Sequence, residues 1–195
     1  MALRGFGGAA WGGVCLLVLA SVVHVLWGSR SDPGNAAVAQ EQVASLQSPV
    51  RTGDSGLPLP RFVTLKADRV NVRRGPSGEH KVSWVFTRKG LPVEIVAEFE
   101  HWRRIRDSDG AEGWVYHSLL SGRRGVLVAP WSGARPVPLL DGIDGGSGAV
   151  ALLDSGVMAD VGQCTGDWCQ VSIEGHDGWI EQAMLWGVYP GERVE

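Results

Sequence analysis

The sequence lacks the signatures of nucleophilic and metal-dependent catalysis. It has no Gly-x-Ser-x-Gly elbow and no His-Glu-x-x-His helix, which removes the usual serine-hydrolase and zinc-protease arrangements. Cysteine is scarce: Cys15 falls in an apolar N-terminal run, while Cys164 and Cys169 are near neighbours, so no thiol stands alone as a nucleophile. His80, His101, His117 and His176 fall at expected turns or strand ends without ligand spacing. The glycine-rich run from Gly142 to Gly148 is acidic, has no lysine and leads into no helical pattern. That argues against a phosphate cradle and for a flexible loop. No cofactor or metal is implied, and the chain reads as a binding protein rather than an enzyme. Lysine is scarce relative to arginine, and a formal net charge of −3 argues against a general nucleic-acid binder, which is plainly basic. Helical hydrophobic periodicity is missing beyond the N-terminal run. What is abundant instead is glycine, at 28 residues, and tryptophan, at nine. Glycines punctuating short apolar runs point to an all-β chain with many tight turns.

The N-terminus reads as an export segment, because Arg4 precedes an uncharged apolar stretch from about Ala9 to Trp27. Ala37-Val38-Ala39 offers the small-x-small pattern of signal peptidase, with a mature chain beginning near Gln40. The run is also close to the ~20 residues that cross a bilayer, so an uncleaved anchor with membrane association through residues 1–30 is the other reading. Both place the remainder in the periplasm or otherwise outside the cytoplasm. Gly-Gly-Val before Cys15 is a poor lipoprotein processing site.

From Phe62 onward, short apolar segments alternate with turns at Gly75-Pro76-Ser77-Gly78, Lys89-Gly90 and Asp109-Gly110. Strands are expected from Phe62, Arg69, Val82, Val93, Trp102 and Gly113. In the fourth, Val93, Ile95, Ala97 and Phe99 alternate with Glu94 and Glu98, interrupted only by Val96, which predicts one buried and one wet face. The chain then repeats itself. Gly90-Leu91-Pro92-Val93 aligns with Gly156-Val157-Met158-Ala159, Trp102 with Trp168, Ile105 with Val171, and Gly113-Trp114-Val115 with Gly178-Trp179-Ile180. Extending the same offset backwards sets Asn71 and Arg73 against Val137 and Leu139, and Trp84 and Phe86 against Val150 and Leu152. Trp114 and Trp179, large aromatics kept in both copies, are the expected core anchors.

The run Arg69-Val70-Asn71-Val72-Arg73-Arg74-Gly75-Pro76-Ser77, then Trp102-x-x-Ile105, then Gly110-x-x-Gly113-Trp114-Val115 resembles bacterial SH3-like domains. The second unit resembles them only in its later half. The resemblance implies two tandem small SH3-like β-barrels, partly open and of a kind often attached to envelope or cell-wall proteins, without implying one ligand. The expected organisation is a signal or anchor over 1–39, a disordered linker over 40–60, barrel 1 over 61–122, barrel 2 over 123–189 and a tail over 190–195.

Cys164-Thr165-Gly166-Asp167-Trp168-Cys169 places Gly166-Asp167 at a hairpin tip and the two cysteines opposite each other, close enough to bridge in an oxidising compartment. Two buried thiols, or a zinc site with His176, are the other readings. The matching hairpin of barrel 1 carries Glu98 and Arg103, an expected exposed cross-strand ion pair.

Charge divides unevenly. Residues 60–124 hold thirteen Lys and Arg against eight Asp and Glu, and residues 125–195 hold two against ten. Either the opposite charges orient barrel 1 against barrel 2, or the basic barrel meets an anionic partner. Trp102 shares a strand face with Arg104 and Arg106 by period two, and Arg73, Arg74, Trp84, Phe86 and Tyr116 add charge and aromatic surface that the second unit lacks. In the SH3-like resemblance, Trp102 and Tyr116 border the ligand groove. The candidate ligand site is therefore Arg73, Arg74, Trp84, Trp102, Arg104, Arg106 and Tyr116. The expected partner is a cell-wall fragment, peptidoglycan above all, or an envelope protein. A self-assembling structural protein and a regulatory subunit of a wall hydrolase are the alternatives.

Overall fold

The computed structural model describes residues 51–131, 133, 135–144 and 146–195. The apolar N-terminal run, Cys15 and Ala37-Val38-Ala39 lie outside the described residues. A short hairpin, β1 (Arg51–Thr52) and β2 (Pro58–Leu59), comes first. Barrel 1 follows as β3 (Arg61–Leu65), β4 (Val70–Arg73), β5 (Val82–Phe86), β6 (Pro92–Phe99), β7 (Trp102–Arg106), β8 (Glu112–Tyr116) and β9 (Leu120–Ser121). Barrel 2 is β10 (Gly125–Val128), β11 (Val137–Leu140), β12 (Ala149–Leu153), β13 (Met158–Thr165), β14 (Trp168–Ile173), β15 (His176–Glu181), β16 (Leu185–Trp186) and β17 (Arg193–Val194).

The repeat is complete at the level of topology. Strand order is β5-β4-β8-β7-β6-β3-β9 in the first sheet and β12-β11-β15-β14-β13-β10-β16 in the second, all antiparallel. Each curled sheet encloses its own core, built on Val70, Val72, Ile95, Ile105 and Val115 in one and on Val126, Leu139, Val171 and Ile180 in the other. Gly90 and Gly156, at φ 82° and 80°, make the same turn in each barrel, their N–H groups donating to the Leu65 and Val128 carbonyls. The described part of the chain is thus all-β, two SH3-like barrels in tandem.

Register corrects several sequence expectations. In β4, the core residues Val70 and Val72 pair with Phe86 and Trp84, and in β11, Val137 and Leu139 pair with Leu153 and Ala151. The structural counterparts of Trp84 and Phe86 are therefore Ala151 and Leu153, one residue later than the sequence alignment placed them. The even alternation expected in β6 also fails. A bulge between Ile95 and Ala97 adds a residue and reverses the phase, so Phe99 is 49% exposed while Glu98 turns inward. Barrel 2 carries the same bulge between Val161 and Gln163. Glu94, expected on the wet face, is buried because barrel 2 covers it.

Trp114 and Trp179 are half-buried, and the residues beside them form the core: Val115 and Ile180 are fully buried. Strand alternation sets the tryptophan opposite its neighbours. Gly113 and Gly178 face inward, where a Cβ would collide with Val72 and Leu139 respectively.

Residues 51–59, expected to be linker, form the β1–β2 hairpin, and the expected tail supplies β17, paired with β13. Both segments serve the same end of their barrels. In barrel 1, the inward Glu98 accepts from Arg61 and Arg103 and from the Ser55 N–H and hydroxyl of the hairpin at 2.7 and 2.8 Å. The Glu98–Arg103 pair is buried rather than exposed, with 1% and 11% of the side chains accessible. The equivalent cross-strand pair in barrel 2 is Cys164–Cys169, which forms the disulfide.

Candidate ligand face

The outer face of β6, β7 and β8 is read directly from their register, because opposite residues of antiparallel strands share a face. One row across the sheet is Phe99, Trp102 and Tyr116. The next is Ala97, Arg104 and Trp114, extended by Arg73 of β4. The third is Glu94, Arg106 and Glu112. Trp102 and Tyr116 meet edge to face at 5.5 Å between ring centres. Phe99 and Tyr116 are 49% and 38% exposed, so the row is an accessible aromatic strip. Arg104 bonds Glu112 at 2.7 Å with half its side chain in solvent.

The structure brings Trp102, Arg104, Tyr116 and Arg73 onto this face, with the Arg73 guanidinium donating to the His80 carbonyl at 2.7 Å. It separates the others. Trp84 pairs with Val72 and, with Phe86, closes over the barrel 1 core, the two rings edge to face at 6.1 Å. Arg74 is exposed just past the end of β4. Arg106 shares the face but turns its guanidinium to Glu94, which also accepts the Tyr189 hydroxyl of barrel 2 at 2.9 Å. The bond to Glu94 raises the Arg106 guanidinium pKa above its ordinary value. Burial, together with the bond to Glu94, pushes the Tyr189 phenol well above its ordinary value, so it stays a donor.

Phe99 and Trp114 were missing from the sequence-derived site. Period two puts Phe99 on the buried side, and the single sequence signal against it is Val96, the residue of the bulge. In sequence, His101 and His117 fall at expected turns or strand ends without ligand spacing. The ladder places them side by side beyond the Trp102–Tyr116 pair, rings 5.5 Å apart, with the His117 N–H donating to the His101 carbonyl at 2.9 Å. Among the described residues no group of three or more His, Cys, Asp or Glu is placed to hold a metal.

The two barrels also meet directly. Phe62 of β3 packs against Trp186 of β16 at 5.1 Å and against Tyr189 at 4.7 Å. Arg88 donates to the Gly156 carbonyl at 3.2 Å, and Arg123 pairs with Asp160 on the exposed rim. Arg123, in the connection between the barrels, supplies the exposed charge pair, while the buried part of the junction joins the aromatic contacts to the Tyr189–Glu94 bond.

Two small antiparallel barrels with one strand order, each built around a bulged β-hairpin and a Gly-Trp-apolar strand, define an SH3-like class. A family model of the bacterial SH3 domain matches residues 66–122 and 133–187, and the chain belongs to that family. Similar solved structures include NlpC2 and NlpC1 from Trichomonas vaginalis, at 9% and 10% identity and TM-scores of 0.31 and 0.31. The matches cover 65% and 70% of this chain and 48% of each of those, so the chain spans about half their length. No curated protein sequence matches the chain.

Proposed function

We propose that this protein is an exported, non-catalytic binding module of the cell envelope, whose barrel 1 face recognises peptidoglycan or an envelope protein. The observation that carries the reading is the exposed strip of Phe99, Trp102 and Tyr116 beside Arg104 and Arg73. Barrel 2 has Thr165, Trp168 and Glu181 in the corresponding row, so the fold keeps the tryptophan in both copies but does not require an aromatic at Phe99 or Tyr116. Exposed aromatic surface next to guanidinium groups suits flat or anionic ligand groups. Export is supported by Arg4 and the apolar run, and by a disulfide that suits an oxidising compartment.

Co-sedimentation of the full chain with purified peptidoglycan sacculi, and capture from a soluble envelope extract, test it. Trp102→Ala or Tyr116→Ala is expected to weaken binding by about 1–2 kcal/mol, as for a central aromatic anchor. If those variants melt lower while binding stays unchanged, the aromatics are packing residues and the ligand face lies elsewhere.

A further inference from the structure

The junction between the barrels forms a groove of about 550 Å³, within the ~300–1,000 Å³ range of ligand sites. Its walls include Phe62, Trp131, Trp186 and Tyr189, and its polar groups include Glu94 and Arg106. Neither barrel alone makes it, since Phe62, Glu94 and Arg106 come from one and the rest of these from the other.

Two features separate this groove from simple docking surface. The first is Trp131. The β10–β11 connection is longer than its β3–β4 counterpart, and it carries this tryptophan on the groove, 56% exposed. An indole held that far into water contributes little to either core. Beside it, Trp186 and Tyr189 are fixed against Phe62, so the aromatic walls are already in place before a ligand arrives.

The second feature is charge. Among the described residues lining the groove, Arg106 is the one cation, and Glu94 neutralises it through bonds from Nε and the second guanidinium nitrogen. The other charged group is an acid, Asp167. Anionic ligands, including carboxylate-bearing wall peptides, find no free counter-charge. A neutral ligand rich in hydroxyl and amide groups can donate to the exposed Asp167 carboxylate, and its C–H faces can stack on the aromatic rings.

Resting on the reading that the protein binds cell-wall material, we propose that this groove is a second site, separate from the barrel 1 face, for a neutral N-acetylated hexosamine oligosaccharide. The glycan strand, rather than the wall peptide, is what it would hold.

Calorimetric titration of the full chain with the β-1,4-linked tetramer of N-acetylglucosamine, and separately with isolated wall peptide, tests the proposal. Saturable binding of the tetramer is expected, weakened ~tenfold or more by Trp131→Ala, as when a binding anchor is lost. Trp131→Phe should restore most of it, Trp102→Ala should leave it unchanged, and Trp131→Ala should melt like the parent because the side chain is largely in water. No tetramer binding, equal affinity in Trp131→Ala, or binding of the peptide alone would each overturn the proposal. Sacculus binding lost in Trp102→Ala but retained in Trp131→Ala would uphold the barrel 1 face and reject the groove, and the converse result would reject the face.

Discussion

Gly113 and Gly178 perform the same task in the two barrels, and the reason is space rather than backbone freedom. A Cβ on Gly178 would lie 2.6 Å from Leu139 Cγ and 2.7 Å from the Leu140 carbonyl oxygen. Gly178→Ala is therefore expected to lower stability by about 1–3 kcal/mol, the usual cost of overpacking a core. Urea denaturation of the variant beside the parent measures it, and an unchanged midpoint would mean that β11 yields more readily than the contact implies. The Gly-Trp-apolar motif is visible in the sequence, but its tryptophan is not the core anchor that its size suggests. Size suggested that Trp114 and Trp179 were anchors, whereas glycine and the residue two positions on share the inward face. The Cys164–Cys169 bridge, by contrast, was legible because Gly166 and Asp167 fix the register of their own hairpin. A local turn determines that pairing, while an inward face depends on which strand lies opposite.

Elements that depend on distant partners were the hardest to read. The strands of β1 and β2 have two residues each and no apolar alternation. Their hairpin is held by Ser55 on Glu98 and by Leu59 against the barrel 1 core, contacts that no local pattern announces. The C-terminal segment is similar. Glu192 accepts from both terminal guanidinium nitrogens of Arg124 and from the Tyr189 N–H, and Gln182 clamps the Glu192 carbonyl and the Gly191 N–H. Burial pushes the Glu98 carboxyl up, but bonds from Ser55 and Arg61 outweigh it and hold it below the ordinary carboxylate range. Glu192 behaves likewise, burial being outweighed by Arg124 and the Tyr189 N–H. A carboxyl depressed in the folded state binds its proton more readily in the unfolded chain. Its stabilisation is thus present above the ordinary value of about 4.3 and is lost as pH falls through the lower folded value. Thermal melts should hold steady near neutrality and drop below about pH 4. In Glu98→Gln the drop should be shallower, and an identical acid profile would mean that Glu98 is not among the groups responsible.

At the scale of the whole molecule, the question is whether two barrels of this size stand separately. A unit of about 60 residues buries only about 60% of the surface its unfolded chain exposes, so each is marginal alone. The junction supplies more apolar burial: Phe62 is 7% exposed, and it reaches that burial through Trp186 and Tyr189 of the other barrel. Next to it, Glu94 is a buried carboxylate whose partners are Arg106 from its own sheet and Tyr189 from across the junction. Undocking would expose the aromatic faces and cost Glu94 one of its donors, so the barrels are expected to unfold together. Calorimetry of the parent should show one cooperative transition whose calorimetric and van't Hoff enthalpies agree. Phe62→Ala removes the ring that both barrel 2 aromatics touch, at a cost of about 3–5 kcal/mol for a buried phenylalanine. Because that loss falls on the junction, the variant should resolve into two transitions rather than shift one. Tyr189→Phe, which keeps the ring and deletes the hydroxyl, should lower the melting temperature while leaving a single transition. A parent that already melts in two steps would show that the barrels are independent and that the aromatic junction does not couple them.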